Sequence, residues 1–276
     1  MMLSPEHYRK LREDVVIAAR RANVARKLMA IRGPLGLGVQ QYSYDVLGEV
    51  ANAILSHVFE ARDMDVVNLT RTDVNVPVLQ KMFEISRRDV ESSRRYGIPL
   101  NTALASSCAY KISCLENELS LVGWQKDSSY DISGLYASAG NSITGSDFGT
   151  AGNAITSVAD AMGSLMEDEV FPPYNLVLHP TQYAELVGNV LTSGDREISH
   201  VKEMIGGEVV VTPFISDGTG MLLATPEARF FELVVAQDLT VETWEDPDTK
   251  NLRGRVFECV VPVVYDGNAI CKLTSI

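Results

Sequence analysis

The chain has few of the residues that build metal sites and covalent cross-links, with 4 cysteines and 4 histidines among 276 residues. No C-x-x-C spacing occurs, and no histidine is close in sequence to another histidine or to a cysteine. We therefore expect no metal, no cofactor and no zinc site of the local kind, although ligands assembled in space stay open. We also expect reduced, mostly buried thiols at Cys108, Cys114, Cys259 and Cys271.

Long apolar runs are also absent. No segment approaches the roughly 18 consecutive apolar residues of a membrane-spanning helix, so no membrane partner is expected. Residues 1–12 are charged early and lack the apolar core of a signal peptide. These features predict a cytoplasmic protein.

Known catalytic motifs are missing as well: the sequence contains no G-x-S-x-G, H-E-x-x-H or D-x-D-x-D-G pattern. Two carboxylate pairs occur, Glu116 with Glu118 and Asp246 with Asp248. The first pair points to different sides of a predicted helix and the second lies in a predicted turn. Neither has a histidine or lysine at a spacing useful for acid–base chemistry, so we predict that the chain is not an enzyme.

The glycine-rich stretch "RGPLGLGV" at 32–39 raises the question of a phosphate-binding loop. Such a loop follows a strand and precedes a helix, whose first amides point at the phosphate. Here the glycines follow a predicted helix and precede an extended segment, and no Lys-Ser or Lys-Thr comes after them. We interpret the stretch as a hinge.

Charge is distributed unevenly along the chain. The net charge is −12, yet residues 1–32 hold eight basic and three acidic side chains, so this segment carries +5 and the remainder −17. Ser4-Pro5-Glu6 is typical of a helix start. One apolar seam then predicts a single helix to residue 32, ended by Gly33-Pro34. The seam consists of Leu11, Val15, Ala18, Ala22, Ala25 and Met29.

Residues 42–75 read as mostly extended. Folded as a hairpin, they would reach roughly 50 Å at about 3.3 Å per residue. Such an arm has too little surface of its own to bury, which indicates packing on a neighbouring molecule. The alternative is a mixed segment with a short helix around Val50 to Phe59, and periodicity does not separate the two.

The remaining pattern predicts an α+β fold with mainly antiparallel strands toward the C-terminus. Asn101 caps a long predicted helix over 101–122. Its apolar stripe is Leu104, Cys108, Ile112, Leu115, Leu119 and Val122.

Several segments together resemble the encapsulin (linocin-like) family of shell proteins. They occur in the family's order over nearly the whole chain: "GPLG…LGEV", "FEISRRDVESSRRYG", "LENELSLVGW", "ISGL", "PPYNLVLHPTQY", "GGEVVVTP" and "VVAQDLTVETWED". The resemblance implies the Hong Kong 97-type phage capsid fold. It divides the chain into an N-terminal helix or arm (1–38), an extended loop (39–75), a peripheral domain with a spine helix (76–136 and 226–276) and an axial domain (137–225).

The same resemblance implies a self-assembling shell protein that forms an icosahedral nanocompartment around cargo protein. Its partners would be copies of itself and a cargo protein with a C-terminal targeting peptide. The expected cargo-binding residues on the N-terminal helix are Leu11, Val15, Ala18 and Ala22. The residues expected to line a pore at the five-fold axis are Ser193, Gly194, Asp195, Arg196 and Glu197.

The alternative is the major capsid protein of a virus or provirus, in which the N-terminal arginines would neutralise packaged nucleic acid and the location would be a virion. The long N-terminal helix favours the nanocompartment. The arm from Tyr42 to Asn75 contains no lysine, so the Lys–Asn cross-links of some capsid relatives cannot start there. Shell strength would then depend on buried area and overlapping arms.

Overall fold

The computed structural model describes residues 5–47, 69–96, 102–124 and 130–276. Its helices are α1 (Pro5–Ala22), α2 (Ala25–Leu28), α3 (Arg87–Tyr96), α4 (Ala103–Leu121), α5 (Asn153–Glu167), α6 (Pro180–Gly188) and α7 (Glu197–Ile205). Its strands are β1 (Ala30–Arg32), β2 (Gln41–Leu47), β3 (Leu69–Asn75), β4 (Val78–Ile85), β5 (Gly123–Trp124), β6 (Ile132–Ser133), β7 (Asn141–Thr144), β8 (Tyr174–Leu178), β9 (Gly206–Val211), β10 (Thr219–Ala224), β11 (Phe231–Glu245), β12 (Leu252–Val264) and β13 (Ile270–Thr274). This mixture confirms the predicted α+β class.

The first sheet has the strand order β1-β11-β12-β4. The long strands β11 and β12 pair antiparallel from Phe231↔Val264 to Glu245↔Leu252, with bulges between Val235 and Thr240. At the edges, β1 runs parallel to β11 and β4 runs antiparallel to β12. Helix α4 packs against β4 and β12, so the sheet has one face covered by helix.

The N-terminal segment corrects the prediction of one helix over residues 4–32. Helix α1 ends at Ala22 and the separate turn α2 follows. The buried side chain of Asn117, on α4, accepts hydrogen bonds from the backbone N–H groups of Val24 (2.9 Å) and Ala25 (2.9 Å). This amide stands in for a capping residue and starts a new helical turn, a role that the local sequence does not reveal.

The second sheet has the order β7-β13-β10-β8-β9 and contains parallel and antiparallel pairs. Every residue of its strand β8 is buried. Helix α5 packs against β7, β13 and β10, and α7 packs against β8 and β9. The predicted domain division placed 226–276 entirely in the peripheral domain, but β13 pairs with β10 and β7, so the end of the chain returns to the second sheet.

The predicted long helix is confirmed as α4. The prediction of its buried apolar stripe is only partly correct. Leu104 and Val122 are 56% and 38% exposed. The helix packs against α1 on one side and against β4 and β12 on another, which buries more than one stripe. The buried positions therefore include small and polar residues: Ala105, Ala109, Ser113, Glu116, Asn117 and Ser120.

The described part of the predicted arm is a hairpin, in which β2 and β3 pair antiparallel from Gln41↔Asn75 to Leu47↔Leu69. Each seven-residue strand spans about 23 Å at ~3.3 Å per residue. Residues 48–68, with the alternative helix around Val50 to Phe59, lie outside the described residues.

The hinge glycines connect β1 to this hairpin along the edge of β11. Gly33 has φ +135°, and a Cβ atom there would lie 2.1 Å from the carbonyl oxygen of Val235. The same carbonyl accepts a hydrogen bond from the Leu35 N–H group (3.0 Å). Glycine is required at this position because both the backbone conformation and the close approach exclude a side chain.

Candidate assembly, pore and cargo surfaces

Five side chains, named here the arm anchor, hold the base of the hairpin on the first sheet: Arg32, Tyr42, Tyr44, Glu232 and Tyr265. The rings of Tyr44 and Tyr265 meet edge to face with centroids 5.1 Å apart. The guanidinium of Arg32 lies 5.7 Å from the centre of the Tyr42 ring and 3.2 Å from a carboxylate oxygen of Glu232. The Tyr265 hydroxyl donates to Glu232 (2.9 Å) and lies 3.3 Å from the Tyr42 hydroxyl.

The arm anchor joins residues that are far apart in sequence. Burial, with the hydrogen bonds to Tyr42 and Glu232, raises the pKa of Tyr265, so its hydroxyl remains a donor. Tyr42 and Tyr44 share one face of a strand, a pattern visible in the sequence. Their partner Tyr265 lies beyond the end of β12, where sequence reasoning did not find it.

A second cluster, the Arg26 network, lies between α2 and the first sheet and consists of Arg26, Glu116, Asp238 and Glu258. Arg26 Nε donates to Glu116 Oε1 (2.7 Å), Nη1 to Asp238 Oδ1 (2.8 Å) and Nη2 to Glu258 Oε2 (3.3 Å). The side chains of Glu116 and Glu258 are 0% and 1% exposed. One guanidinium thus donates hydrogen bonds to two fully buried carboxyl groups, one from α4 and one from β12.

Burial and the close charges in the Arg26 network shift the pKa of two of its members, Arg26 and Glu258. Burial lowers the pKa of Arg26, but the adjacent Glu116 and Asp238 outweigh this effect and raise the pKa overall. Burial and the neighbouring Glu116 raise the pKa of Glu258 well above its ordinary value. The sequence pairs Glu116 with Glu118 and gives no sign of Glu258, because Glu116 and Glu258 meet only where α4 packs on β12.

The predicted cargo-binding seam is mostly covered by its own subunit. Leu11 and Val15 are 0% and 1% exposed, and α1 packs along α4. Ala18 is half-buried, and the side chain of Ala22 lies outside the described part of the chain. In this conformation Leu11 and Val15 hold α1 against the rest of the subunit and are not available on its surface.

The exposed side of α1 instead carries two connected grooves. The first, about 510 Å³, is lined by Tyr8, Arg9, Arg12, Glu13, Val16 and Ile17. The second, about 310 Å³, is lined by Val16, Ala19, Asn23, Arg26, Lys27, Asp238, Leu239 and Glu258. Val16 and Ile17 are 37% and 52% exposed, so apolar and basic groups lie side by side. The spacing of four between Tyr8, Arg12 and Val16 is the sequence signal that could have indicated this face.

The predicted pore residues fall into two environments. Ser193, Gly194, Asp195 and Arg196 form an exposed loop before α7, in which Gly194 has φ +91°. The Ser193 hydroxyl donates to Asp195 (3.1 Å), and an Asp195 oxygen lies 3.8 Å from Nε2 of His200. These four residues are accessible from solvent in the isolated subunit.

Glu197 does not belong to that exposed group and corrects the predicted pore set. Its side chain is fully buried. Oε1 accepts from the backbone N–H groups of Gly152 (3.0 Å) and Ile155 (3.3 Å), and Oε2 accepts from Asn189 Nδ2 (3.0 Å). The carboxylate therefore caps the N-terminus of α5, where the unpaired amides and the helix dipole favour a negative group.

Within the described ranges, no group of three or more histidine, cysteine, aspartate or glutamate side chains is arranged to hold a metal ion. All four cysteines are free; Cys114 is half-buried and the others are buried. Burial raises the pKa of Cys271 to about 11, which keeps this thiol protonated at neutral pH. No helix among the described residues is both long and apolar enough to cross a membrane.

Solved structures with the same fold define the class of protein. The chain is similar to the virus-like particle from Pyrococcus furiosus, with a TM-score of 0.73, 19% identity and coverage of 97% of this chain and 99% of that chain. It is also similar to the capsid of Myoviridae Phage XM1, with a TM-score of 0.72, 13% identity and coverage of 92% and 91%. The fold is that of Hong Kong 97-type capsid proteins, as the resemblance implied.

Sequence comparison narrows this class to one family. Residues 2–261 match the family model described as encapsulating protein for peroxidase, and the chain belongs to this family, the encapsulins. It is 28% identical over 272 residues to the type 1 encapsulin shell protein EncA of Myxococcus xanthus, covering 98% of this chain and 93% of that protein. The diheme-cytochrome-encapsulin shell fusion protein of Kuenenia stuttgartiensis is also 28% identical over 272 residues, with coverage of 98% and 73%.

Proposed function

We propose that this chain assembles with copies of itself into a closed icosahedral shell that encloses cargo protein. Family membership supports this function. The observation that carries the proposal is the hairpin: none of its described side chains in β2 or β3 is buried, although the arm anchor fixes its base. A two-stranded hairpin alone in water is marginally stable. We therefore expect a neighbouring copy of the chain to cover the surface of this hairpin.

Exposed apolar side chains on the body of the subunit support the same conclusion. Val78 and Met82 on the edge strand β4 are 54% and 62% exposed, and Phe171 is 67% exposed. Large exposed apolar side chains mark contact surfaces when they cluster, and an open sheet edge invites pairing. Neighbouring subunits in a closed symmetric shell would cover such surfaces.

Electron microscopy together with size-exclusion chromatography tests assembly directly. A megadalton particle with a closed outline is the expected result. A monomer or dimer at high protein concentration would contradict the proposal, because the hairpin would then remain uncovered.

The shell itself has no catalytic role in this proposal, and any chemistry belongs to the cargo. Two carboxylates that could have served in acid–base catalysis are committed to structure: Glu116 binds Arg26, and Asp246 binds Thr249 and Arg253. Purified shells freed of cargo should show no peroxidase turnover. Turnover that co-purifies with the shell protein alone would contradict this part of the proposal.

The cargo site proposed here is the pair of grooves on the exposed side of α1. Val16, Ile17 and Leu239 supply apolar contacts, and Arg12 and Lys27 supply positive charge beside them. An apolar peptide that ends in a carboxylate is complementary to this surface, which fits a C-terminal targeting peptide. The buried seam residues Leu11 and Val15 would act indirectly by holding α1.

Co-expression with a fluorescent protein tests this cargo site. The fluorescent protein would carry the C-terminal tail of a ferritin-like or peroxidase protein encoded beside this gene. The substitution Val16→Asp should abolish encapsulated fluorescence without loss of shells. Met166→Asp is the matched control, since Met166 on α5 has a similar exposure of 38%. Equal loading of both variants would contradict the placement.

A viral or proviral capsid protein is the second candidate, supported by the capsid fold and by the basic, exposed Arg9 and Arg12. Its arginines would neutralise phosphate groups. Packaged nucleic acid would raise the ratio of the absorbance at the nucleic-acid maximum to the absorbance at the protein maximum. Nuclease treatment of purified particles separates the two functions. A nuclease-protected genome favours the capsid, and protein cargo without it favours the nanocompartment.

The exposed loop Ser193–Arg196 is proposed to line a pore at the five-fold axis. Five copies of Asp195 and Arg196 would set which ions pass, through the summed field of the ring. Replacing Asp195 by asparagine should change the rate at which cations enter intact shells while leaving stability unchanged. An unaltered rate would remove Asp195 from the pore.

A further inference from the structure

Two buried carboxyl groups in the Arg26 network have incomplete hydrogen bonding. Glu116 and Glu258 each use one oxygen to accept from Arg26, at 2.7 Å and 3.3 Å. The second oxygens, Oε2 of Glu116 and Oε1 of Glu258, are buried and have no donor among the described residues. Buried polar atoms are nearly always hydrogen-bonded, so two such oxygens beside one cation require a physical explanation.

The surrounding charges do not neutralise the pair. Three carboxyl groups approach Arg26, and of the two that are fully buried, only one can be balanced by its single positive charge. Two carboxylates that share a buried site cannot both remain ionised without a large electrostatic cost. The charged and titratable groups around Glu258 are Glu116 from α4, Arg26 and Lys27 from α2, Asp238 from β11 and its sequence neighbour Cys259.

We propose that Glu258 is protonated at neutral pH and donates its hydrogen from Oε1 to Oε2 of Glu116, so that the two carboxyl groups form one bonded pair between α4 and β12 that holds Arg26 of α2. This single proton supplies partners for both oxygens. It also leaves one buried negative charge for Arg26, whose remaining nitrogen binds the more exposed Asp238.

The shared proton makes the attachment of the N-terminal segment sensitive to a rise in pH above the ordinary glutamate pKa. The pKa of Glu258 in the folded chain lies above its value in the unfolded chain, so the folded chain binds the extra proton in the interval between the two values. The contribution of this proton to the free energy of unfolding is therefore fully present below the ordinary glutamate pKa. It falls as the pH rises toward the pKa of Glu258 in the folded chain. The fall is at most tenfold in the folding equilibrium constant per pH unit for this one proton.

Infrared spectroscopy of intact assembled protein tests the proton directly. At neutral pH the wild type should show an absorption of a protonated carboxylic acid that is missing from the Glu258→Gln variant. Glu242→Gln is the matched control, because Glu242 lies on the first sheet, is partly exposed and pairs with Arg255 at 2.7 Å. This control should retain the absorption. A wild-type spectrum identical to that of Glu258→Gln at neutral pH would overturn the proposal.

The pH dependence of unfolding gives an independent measurement. Glu258→Gln should remove the loss of stability that begins above the ordinary glutamate pKa, since the glutamine amide donates to Glu116 without a titrating proton. Glu242→Gln should retain the wild-type pH profile. An unchanged profile in Glu258→Gln would overturn the proposal. If that variant fails to fold, the infrared titration of the wild type decides, and an acid absorption that disappears at the ordinary glutamate pKa would refute the shared proton.

Discussion

Replacing Glu197 tests whether this residue caps α5 or lines a pore. In Glu197→Ala the N–H groups of Gly152 and Ile155 lose this acceptor, at 3.0 and 3.3 Å, and the Asn189 amide keeps only its bond to the Phe148 carbonyl oxygen (2.6 Å). A buried donor without a partner costs about 1–3 kcal/mol, and water entering the space left by the side chain relieves part of this cost. We expect the free energy of unfolding to fall by about 3–5 kcal/mol.

Glu197→Gln should have a smaller effect, about 1–2 kcal/mol, because one carbonyl oxygen still accepts while the new amide faces donors. The control is Glu203→Ala, on the exposed side of the same helix, which should change stability by less than about 0.5 kcal/mol. Denaturant unfolding of the three variants and the wild type, followed by circular dichroism, measures these differences.

Equal stability of Glu197→Ala and Glu203→Ala would refute the capping role of Glu197. If Glu197→Gln altered ion passage through intact shells at unchanged stability, Glu197 would return to the pore set. Lower stability with unchanged ion passage in the glutamine variant is the result that the structure predicts.

Three further perturbations probe the arm and its attachment. Gly33→Ala should destabilise the chain by at least about 2 kcal/mol in thermal unfolding, because its Cβ would lie 2.1 Å from the Val235 carbonyl oxygen. Gly38→Ala is the neutral control, because the space around Gly38 is open. Tyr265→Phe should cost about 1–2 kcal/mol by removing its hydroxyl contacts and should lower the melting temperature of shells; an unchanged temperature would argue against the arm anchor. Deleting residues 50–70 should yield soluble subunits that do not close, and intact particles in micrographs would contradict the overlap of arms.

Local sequence patterns predicted the elements whose partners are close in sequence. The apolar spacing of 101–122 identified α4, and the alternating segments on both sides of 48–68 identified the base of the hairpin. These predictions succeeded because helix and strand periodicity are properties of a short window. The ordered motifs then pointed to the shell family.

The same reasoning failed where a distant contact decided the outcome. Periodicity predicted the N-terminal helix to residue 32, but α1 ends at Ala22 and Asn117 caps a separate turn that begins at Ala25. Glu197 stands next to exposed loop residues, yet its carboxylate belongs to α5. Leu11 and Val15 were correctly identified as apolar, and only the packing of α1 on α4 shows that this seam faces inward.

Composition and periodicity were thus sufficient for the class of elements, and the resemblance of motifs in a fixed order supplied the family, since each depends on residue types and their order along the chain. The pairing of Glu116 with Glu258, the arm anchor and the cap of α5 required the folded chain. A buried charge or hydroxyl is stabilised by whatever group the packing places within about 3 Å of it. That neighbour comes from another helix or strand, so its identity is set by how the elements meet in space.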